Sequence, residues 1–503
     1  MTPVTLIDGP ILHKLPDTLQ IHPADSVAVA LRPLAAGEIV AGVRVAAAIP
    51  QGHKLALVDL PVGARVTKYG QPIGCASVAI AAGDHVHSHN LVTALAGELV
   101  YRPGQGAVPS GPQSDLPAWR GYLRAAGRAA TRNEIWILPS VGCVGITAEE
   151  IARAARDRHA GRIDGVHAFA HPHGCSQLGD DLEGTRALLA GLASNPNAAG
   201  VLLLGLGCES NQLDALLQAI PEAVRGKVRL LSSQSAGDEL AAAAALIDEL
   251  VEEAAQARRV DLPFSALSIG LKCGGSDGFS GLTANPLLGR LADSLCAAGG
   301  RAILTEIPEI FGAEQALLDR ATDAEVFDMA AALVNRFKRY YLDQGLPVSE
   351  NPSPGNLAGG ITTLEEKSLG AVQKGGNAPL VDVIDYGAQA ERAGLTLLEA
   401  PGNDAVSSSA LAAAGATLVL FTTGRGTPLG FPVPTVKVAS NQALAEAKPH
   451  WIDFDASLAL RAGLAAADRA FAERLAALAS GEPTAAERAG QRAIAIWKRG
   501  VTL

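Results

Sequence analysis

The chain has 503 residues, a formal net charge of −10, 48% hydrophobic residues and 18% charged ones. That balance excludes a disordered chain, and the negative charge, with no basic stripe interleaved with aromatics, excludes a nucleic-acid binder. No apolar run reaches the roughly 18 residues of a membrane span, residues 1–14 lack a charged-then-apolar leader, and six cysteines are too few for a disulfide framework, so a cytoplasmic protein of several domains is expected.

Residues 20–95 read as a small β-rich unit, with short apolar runs Val27–Leu31, Lys54–Leu57 and Ser77–Ile80 between Gly and Pro turns. Residues 102–117 are rich in Pro, Gly and Ser and read as a linker. From about 120 the rhythm becomes strand–helix. Runs Glu134–Leu138, Gly165–Ala170, Ala199–Leu204, Val228–Leu231, Ala266–Ile269 and Ala302–Thr305 look like buried parallel strands, and Glu239–Ala257 looks helical. After a loop-rich stretch at 350–376 comes a second set of strands, Val381–Tyr386, Leu395–Glu399 and Thr417–Thr422, and then a helical end from Ser457 to Lys498. The expected class is α/β: a β-rich domain over 1–100, a linker over 101–119, and two α/β domains with largely parallel sheets over 120–345 and 346–503.

Four cysteines share one context. Cys143, Cys175, Cys208 and Cys273 each follow an apolar run and a turn. Ligands of open α/β sheets bind at the carboxyl ends of the strands, so thiols collected there suit a metal or an iron–sulfur cluster. Cys75 and Cys296 lack that context and read as core residues. His85, His87 and His89 alternate in GDHVHSHN, which on a strand would put three imidazoles on one face. His171 and His173 flank Pro172 just before Cys175. Three glycine-rich loops, CGGSDGFSG (273–281), ENPSPGN (350–356) and FTTGRGTPLG (421–430), offer backbone N–H groups to an anion, and Arg425 offers a bidentate grip on a carboxylate. None of them is a Walker A loop or a full GxGxxG, so a nucleotide is not expected.

KYGQPIG (68–74) and HVHSHN (85–90) are followed in order by TRNEIWILPSVGC (131–143), GCSQLGDD (174–181), GLGCE (205–209), KCGGSDGFSGLTANPLLGR (272–290), TEIPEIFGAEQ (305–315), GGITTLEEKSLG (359–370), APGND (400–404) and FTTGRGTP (421–428). Over residues 20–503 this series resembles the altronate/galactarate dehydratase family, whose small N-terminal β domain is of the SAF type. The histidines and GCSQLGDD resemble its altronate branch; His173 stands where Tyr is usual. The family also includes sulfolactate-type lyases, in which the β domain can be a separate chain.

The resemblance implies a ferrous iron requirement and loss of water from a sugar acid, most simply D-altronate, to give 2-keto-3-deoxy-D-gluconate. Such a reaction needs a base for the C2 proton, stabilisation of the enediolate, and help for a poor leaving group. The expected roles are His171 as base, His85 and His87 as proton donors to the leaving hydroxyl or as groups completing the metal shell, and Asn285, Asn356, Lys367, Asp404 and Arg425 around the polyol and its carboxylate. The iron, as Fe2+ or as a cluster, is expected on Cys143, Cys175, Cys208 and Cys273, with His89 as a further ligand. A homodimer, with no nucleic-acid or membrane partner, completes the expectation.

Overall fold

A computed structural model describes residues 15–95, 97–104, 116–125 and 127–503. Most of the expected linker, and residues 1–14, lie outside the described residues. Among the described residues no helix is long and apolar enough to cross a membrane.

The N-terminal unit is built from antiparallel strands. One sheet orders Thr18–Leu19, Val27–Ala30, Lys54–Ala56 and His85–Val86, and a second orders Arg65–Lys68, Gln71–Ala76 and Leu91–Val92. The run Ser77–Ile80 is not a strand: pairing stops at Ala76, and only Ile80 returns, as a single bridge to Leu60.

The middle of the chain forms a four-stranded parallel sheet ordered Gly165–Ala168, Glu134–Pro139, Ala198–Gly205, Val228–Ser232. Its strands are apolar on both faces because both are covered. Ile135, Ile137, Leu202 and Leu204 pack with Ile151 of helix Gly145–Arg158 and with Ile247 and Leu250 of helix Glu239–Ala254. The alternate residues Trp136, Leu138, Val201 and Leu203 join the main core with Leu188 and Leu192 of helix Asp180–Ser194. Successive side chains point to opposite faces, so one short run serves two cores.

The largest sheet has seven parallel strands, ordered Leu380–Ile384, Gly394–Leu398, Arg301–Leu304, Ser268–Cys273, Leu418–Thr423, Thr435–Ala439, Phe454–Asp455. Its central strands come from both sides of the boundary expected at 345/346. Ser268–Cys273 hydrogen-bonds to Arg301–Leu304 on one side and to Leu418–Thr423 on the other, and a split there would cut the sheet through its middle. The change of unit falls instead between Val228–Ser232 and Ser268–Cys273, where Val260–Leu262 pairs back to Trp119–Leu123. The end of the chain is less helical than expected. Helices Leu458–Ala462, Leu464–Ala479 and Ala485–Arg488 are followed by residues 489–499 without helix.

Candidate active site

Cys143, Cys175 and Cys208 stand beyond the carboxyl ends of three adjacent parallel strands, and all three are exposed. Each is preceded by glycine: Gly142, Gly174 and Gly207. The three turns are laced together. Gly142 N–H donates to the His173 carbonyl (2.8 Å), Asn211 N–H to the Gly174 carbonyl (2.9 Å), and Asn211 Nδ2 to the Ser140 carbonyl (3.2 Å). The Glu209 carboxylate receives Ser140 Oγ and the N–H groups of Leu206 and Gly207. Gly174 has φ +99°, and a Cβ there would lie 2.0 Å from the Ser140 oxygen, so only glycine brings these turns so close.

Cys273 does not join them. It ends a strand of the other sheet and is buried, with Lys374 Nζ at 2.7 Å and Glu309 Oε2 at 3.4 Å from its sulfur. Burial and the nearby Glu306 carboxylate push its thiol up to about 12. The four strand-end cysteines are therefore three and one, because the last of the strands belongs to a different sheet.

His171 is also placed differently from a free base. Its Nε2 faces the Pro139 carbonyl at 2.8 Å, and its Nδ1 accepts from His173 N–H at 3.2 Å. A carbonyl only accepts, so Nε2 carries the hydrogen and both ring nitrogens are engaged. Burial lowers its pKa to about 4. In this state His171 fastens the turn that carries Cys175 to the strand that leads to Cys143.

The SAF-type unit brings four histidines together. The ring centroids of His53, His85 and His87 are 5.1–5.3 Å apart, and His89 lies 5.7 Å from His85. Alternation along a strand does not account for this. The strand ends at Val86, and His87–Asn90 form a turn in which Asn90 accepts from His87 N–H and donates to the His85 carbonyl. The turn, rather than a pleat, gathers the rings, and it adds His53, which reading the sequence alone did not find.

Hydrogen bonds set the tautomers of this cluster. His53 Nε2 faces the Ala358 carbonyl (3.4 Å) and His87 Nε2 the Leu357 carbonyl (3.0 Å), so with neutral rings both nitrogens carry hydrogen. His53 Nδ1 is then an acceptor, and its 3.0 Å partner, His85 Nε2, must donate. That leaves a lone pair on His85 Nδ1. Burial, then His53, His87 and Lys54, lower the His85 pKa to about 4, so the ring is neutral near pH 7.

Beneath the histidines, Lys54 and Lys68 of the β-rich unit share one carboxylate, Glu366, each at 2.8 Å. All three side chains are at most 1% exposed. Lys54 also donates to the Gly360 carbonyl and to Thr362 Oγ1. This clamp seats the unit on residues 354–371. Asn356 lies in the same segment, its Oδ1 capping Ser353 and its Nδ2 donating to the Ser276 carbonyl, which ties the ENPSPGN loop to the CGGSDGFSG loop. A Cβ at Gly275 would lie 3.4 Å from Arg425 Cβ, so the third glycine-rich loop closes on the same place. Arg425 is exposed and makes no side-chain hydrogen bond among the described residues. Asn285 is buried with both ends of its amide used, donating to the Gly370 carbonyl and accepting from Thr422 Oγ1, and so braces the sheet edge.

A buried charge network underlies these loops. Lys272 pairs with Glu306 and, at 2.9 Å, with Asp404; Lys374 pairs with Glu306 at 2.9 Å; Lys367 pairs with Glu309 at 2.8 Å and Asn351 at 3.1 Å. Burial alone would raise the Glu306 pKa, but Lys272 and Lys374 outweigh it and lower it to about 2. Cys273, Glu306 and Glu309 place ligand atoms within 4.8 Å of one another, yet three ammonium groups already occupy that carboxylate and thiol set, which disfavours a further cation. Of this network the sequence pointed to Cys273, Lys367 and Asp404. Lys272 had a signal, a cation inside the apolar run SIGLKC; Glu306, Glu309 and Lys374 had none beyond their motifs.

Comparison with known proteins covers nearly the whole chain. Residues 16–94 match the family model described as the altronate/galactarate dehydratase SAF domain, residues 121–255 the D-galactarate dehydratase/altronate hydrolase second domain, and residues 264–502 the D-galactarate/altronate dehydratase C-terminal region. Altronate dehydratase of Bacillus subtilis (strain 168) is 48% identical over 499 residues, covering 96% of this chain and 99% of the relative. Altronate dehydratase of Escherichia coli (strain K12) is 46% identical over 494 residues, covering 96% and 99%. The L-threo-forming galactarate dehydratase of the same strain is 33% identical over 462 residues, covering 86% of each chain.

Proposed function

Since the chain belongs to the altronate/galactarate dehydratase family and is a sugar-acid dehydratase, a hydro-lyase, we propose that its substrate is D-altronate and its products are 2-keto-3-deoxy-D-gluconate and water. The observation that carries the mechanism is the meeting of the histidine cluster with three glycine-rich loops. It puts a proton acceptor beside groups suited to a hydroxy carboxylate.

His85 Nδ1 takes the C2 proton. Its Nε2–H bond to His53 holds the ring in the accepting tautomer and spreads the charge it gains. Arg425 grips the carboxylate, and Lys367, held by Glu309 and Asn351, faces the negative charge that builds up as the C2 proton leaves. Asp404, partly exposed and paired with Lys272, accepts from a polyol hydroxyl. Asn285 and Asn356 hold the loops in place.

The resemblance implies iron, and the donor set at the thiol edge fits it: three accessible soft ligands, on turns that hydrogen bonds already hold together. Cys143, Cys175 and Cys208 would hold the iron, which when bound supplies Lewis acidity toward the departing hydroxyl.

The test is turnover of D-altronate by anaerobically purified enzyme, with the keto-deoxy acid quantified. Turnover of galactarate in place of altronate would move the chain to the other branch of the family. No turnover of any aldonic or aldaric acid would overturn the reading.

A further inference from the structure

Lys272, Phe421 and Lys437 stand opposite one another in the register of three neighbouring parallel strands, Ser268–Cys273, Leu418–Thr423 and Thr435–Ala439. Residues paired across such strands share a face of the sheet. Two lysines therefore flank one phenyl ring, with Lys437 Nζ 4.8 Å and Lys272 Nζ 5.7 Å from its centroid. Their partners differ. Lys272 has two carboxylates, Glu306 and Asp404. Lys437 is 1% exposed, and its Nζ donates only to two backbone carbonyls, that of Thr427 at 3.0 Å and that of Leu429. Burying an ammonium against dipoles alone is costly. A methionine would fill the same space in the run TVKVA, so packing does not explain a lysine there.

Both carbonyls belong to the loop that carries Arg425, and Pro428 stiffens the link between them. Asn441 Nδ2 donates to a third carbonyl of that loop, Gly424, at 3.0 Å. Residues 424–429 thus form an arch with three carbonyls turned inward. Phe421 and Phe431 close its foot, their ring centroids 6.2 Å apart. Arg425 stands on the outer side. Its stem lies over Gly275, and its Nε is 4.0 Å from where a Cβ at Gly355 would be. Its guanidinium makes no side-chain hydrogen bond among the described residues, so its direction is set by the arch beneath it.

We infer that Lys437 is a positioning residue for substrate binding: by holding the Thr427 and Leu429 carbonyls it aims Arg425 at the substrate carboxylate. The inference rests on the grip proposed for Arg425 and adds the group that directs it. Burial brings the Lys437 pKa down to about 8, and Asp453 and Asp404 only partly oppose that. Asp453 accepts the backbone N–H of Lys437 at 2.9 Å. Across the ring, burial would lower the Lys272 pKa, but Glu306 and Asp404 outweigh it and raise it. Of the two lysines on Phe421, Lys437 is thus the one that loses its proton in mild alkali and holds the arch less firmly.

The experiment is steady-state kinetics on D-altronate for the unsubstituted enzyme, Lys437→Met, Arg425→Ala and the double variant. Each single substitution should raise KM about tenfold or more and leave kcat within about twofold, the pattern of lost uniform binding. The double variant should have the KM of Arg425→Ala, since a residue acting through Arg425 has nothing left to aim. An unchanged KM in Lys437→Met, or effects that multiply in the double variant, overturns the inference alone. An unchanged KM in Arg425→Ala overturns the grip and the inference with it. Should Lys437→Met fail to fold, pH gives a second measurement. KM of the unsubstituted enzyme should climb above pH 8, and KM of Arg425→Ala should not. Lys54 in the clamp also comes down to about 8, chiefly through burial, but a climb due to Lys54 would persist in Arg425→Ala. A flat KM from pH 7 to about 9.5, or a climb that persists in Arg425→Ala, overturns the inference.

Discussion

His85 stays neutral well below the pH at which a free imidazole charges, and this sets where activity should fail. The acid limb of kcat/KM is expected below 6.5, toward the lowered value of about 4. His85→Ala should lower kcat by about 10²–10⁴-fold, and His53→Ala should lower it less while moving the acid limb; rate profiles from pH 4 to 8 check both. His171 gives a different signal. Its pKa is about 4 when folded against 6.5 when unfolded, so between those values the unfolded chain binds a proton that the native one does not. Stability therefore falls as pH drops from 6.5 toward 4. His171→Asn should flatten that part of a melting-temperature profile and leave the acid limb of activity in place. At this scale residue types were legible and their tasks were not. The histidines of HVHSHN were visible as a group, but which nitrogen is free depends on carbonyls at Leu357 and Ala358, which lie 270 residues beyond His87 and 305 beyond His53 in sequence.

Glu366 carries the contact between the β-rich unit and helix Leu364–Ala371. Glu366→Leu strands two buried ammonium groups and should cost about 3–5 kcal/mol, read as a lower melting temperature and as faster proteolysis between the units. Glu365 also reaches that unit, through Thr93 and Ala94, but neutral partners satisfy it and Glu365→Gln should cost less. Gly174→Ala meets both a left-handed φ and the Ser140 oxygen. It should lower the melting temperature and the iron content together, since one turn serves both. The parallel strands were readable because covering both faces demands uninterrupted apolar runs, as in EIWILP and LVLFTT. Ser77–Ile80 has the same apolar character but ends in a turn, since pairing partners cannot be seen in a run taken alone.

The arrangement of whole sheets was the least legible. The loop-rich stretch at 350–376 looks like a boundary, yet it contains the segment on which the β-rich unit sits, and strands from either side of it lie adjacent in one sheet. Strand order is set by which hydrophobic faces cover one another across long separations, and local composition carries little of that.

The clamp beneath the histidines has two ammonium groups and one carboxylate, so it leaves a surplus positive charge in the interior of a protein whose net charge is −10. An approaching sugar acid is repelled at a distance and attracted once it is seated. Mobile ions screen the distant repulsion far more than the interior attraction. Raising ionic strength from about 10 to 150 mM should therefore lower KM for an anionic substrate, the opposite of the usual behaviour of a surface cationic site.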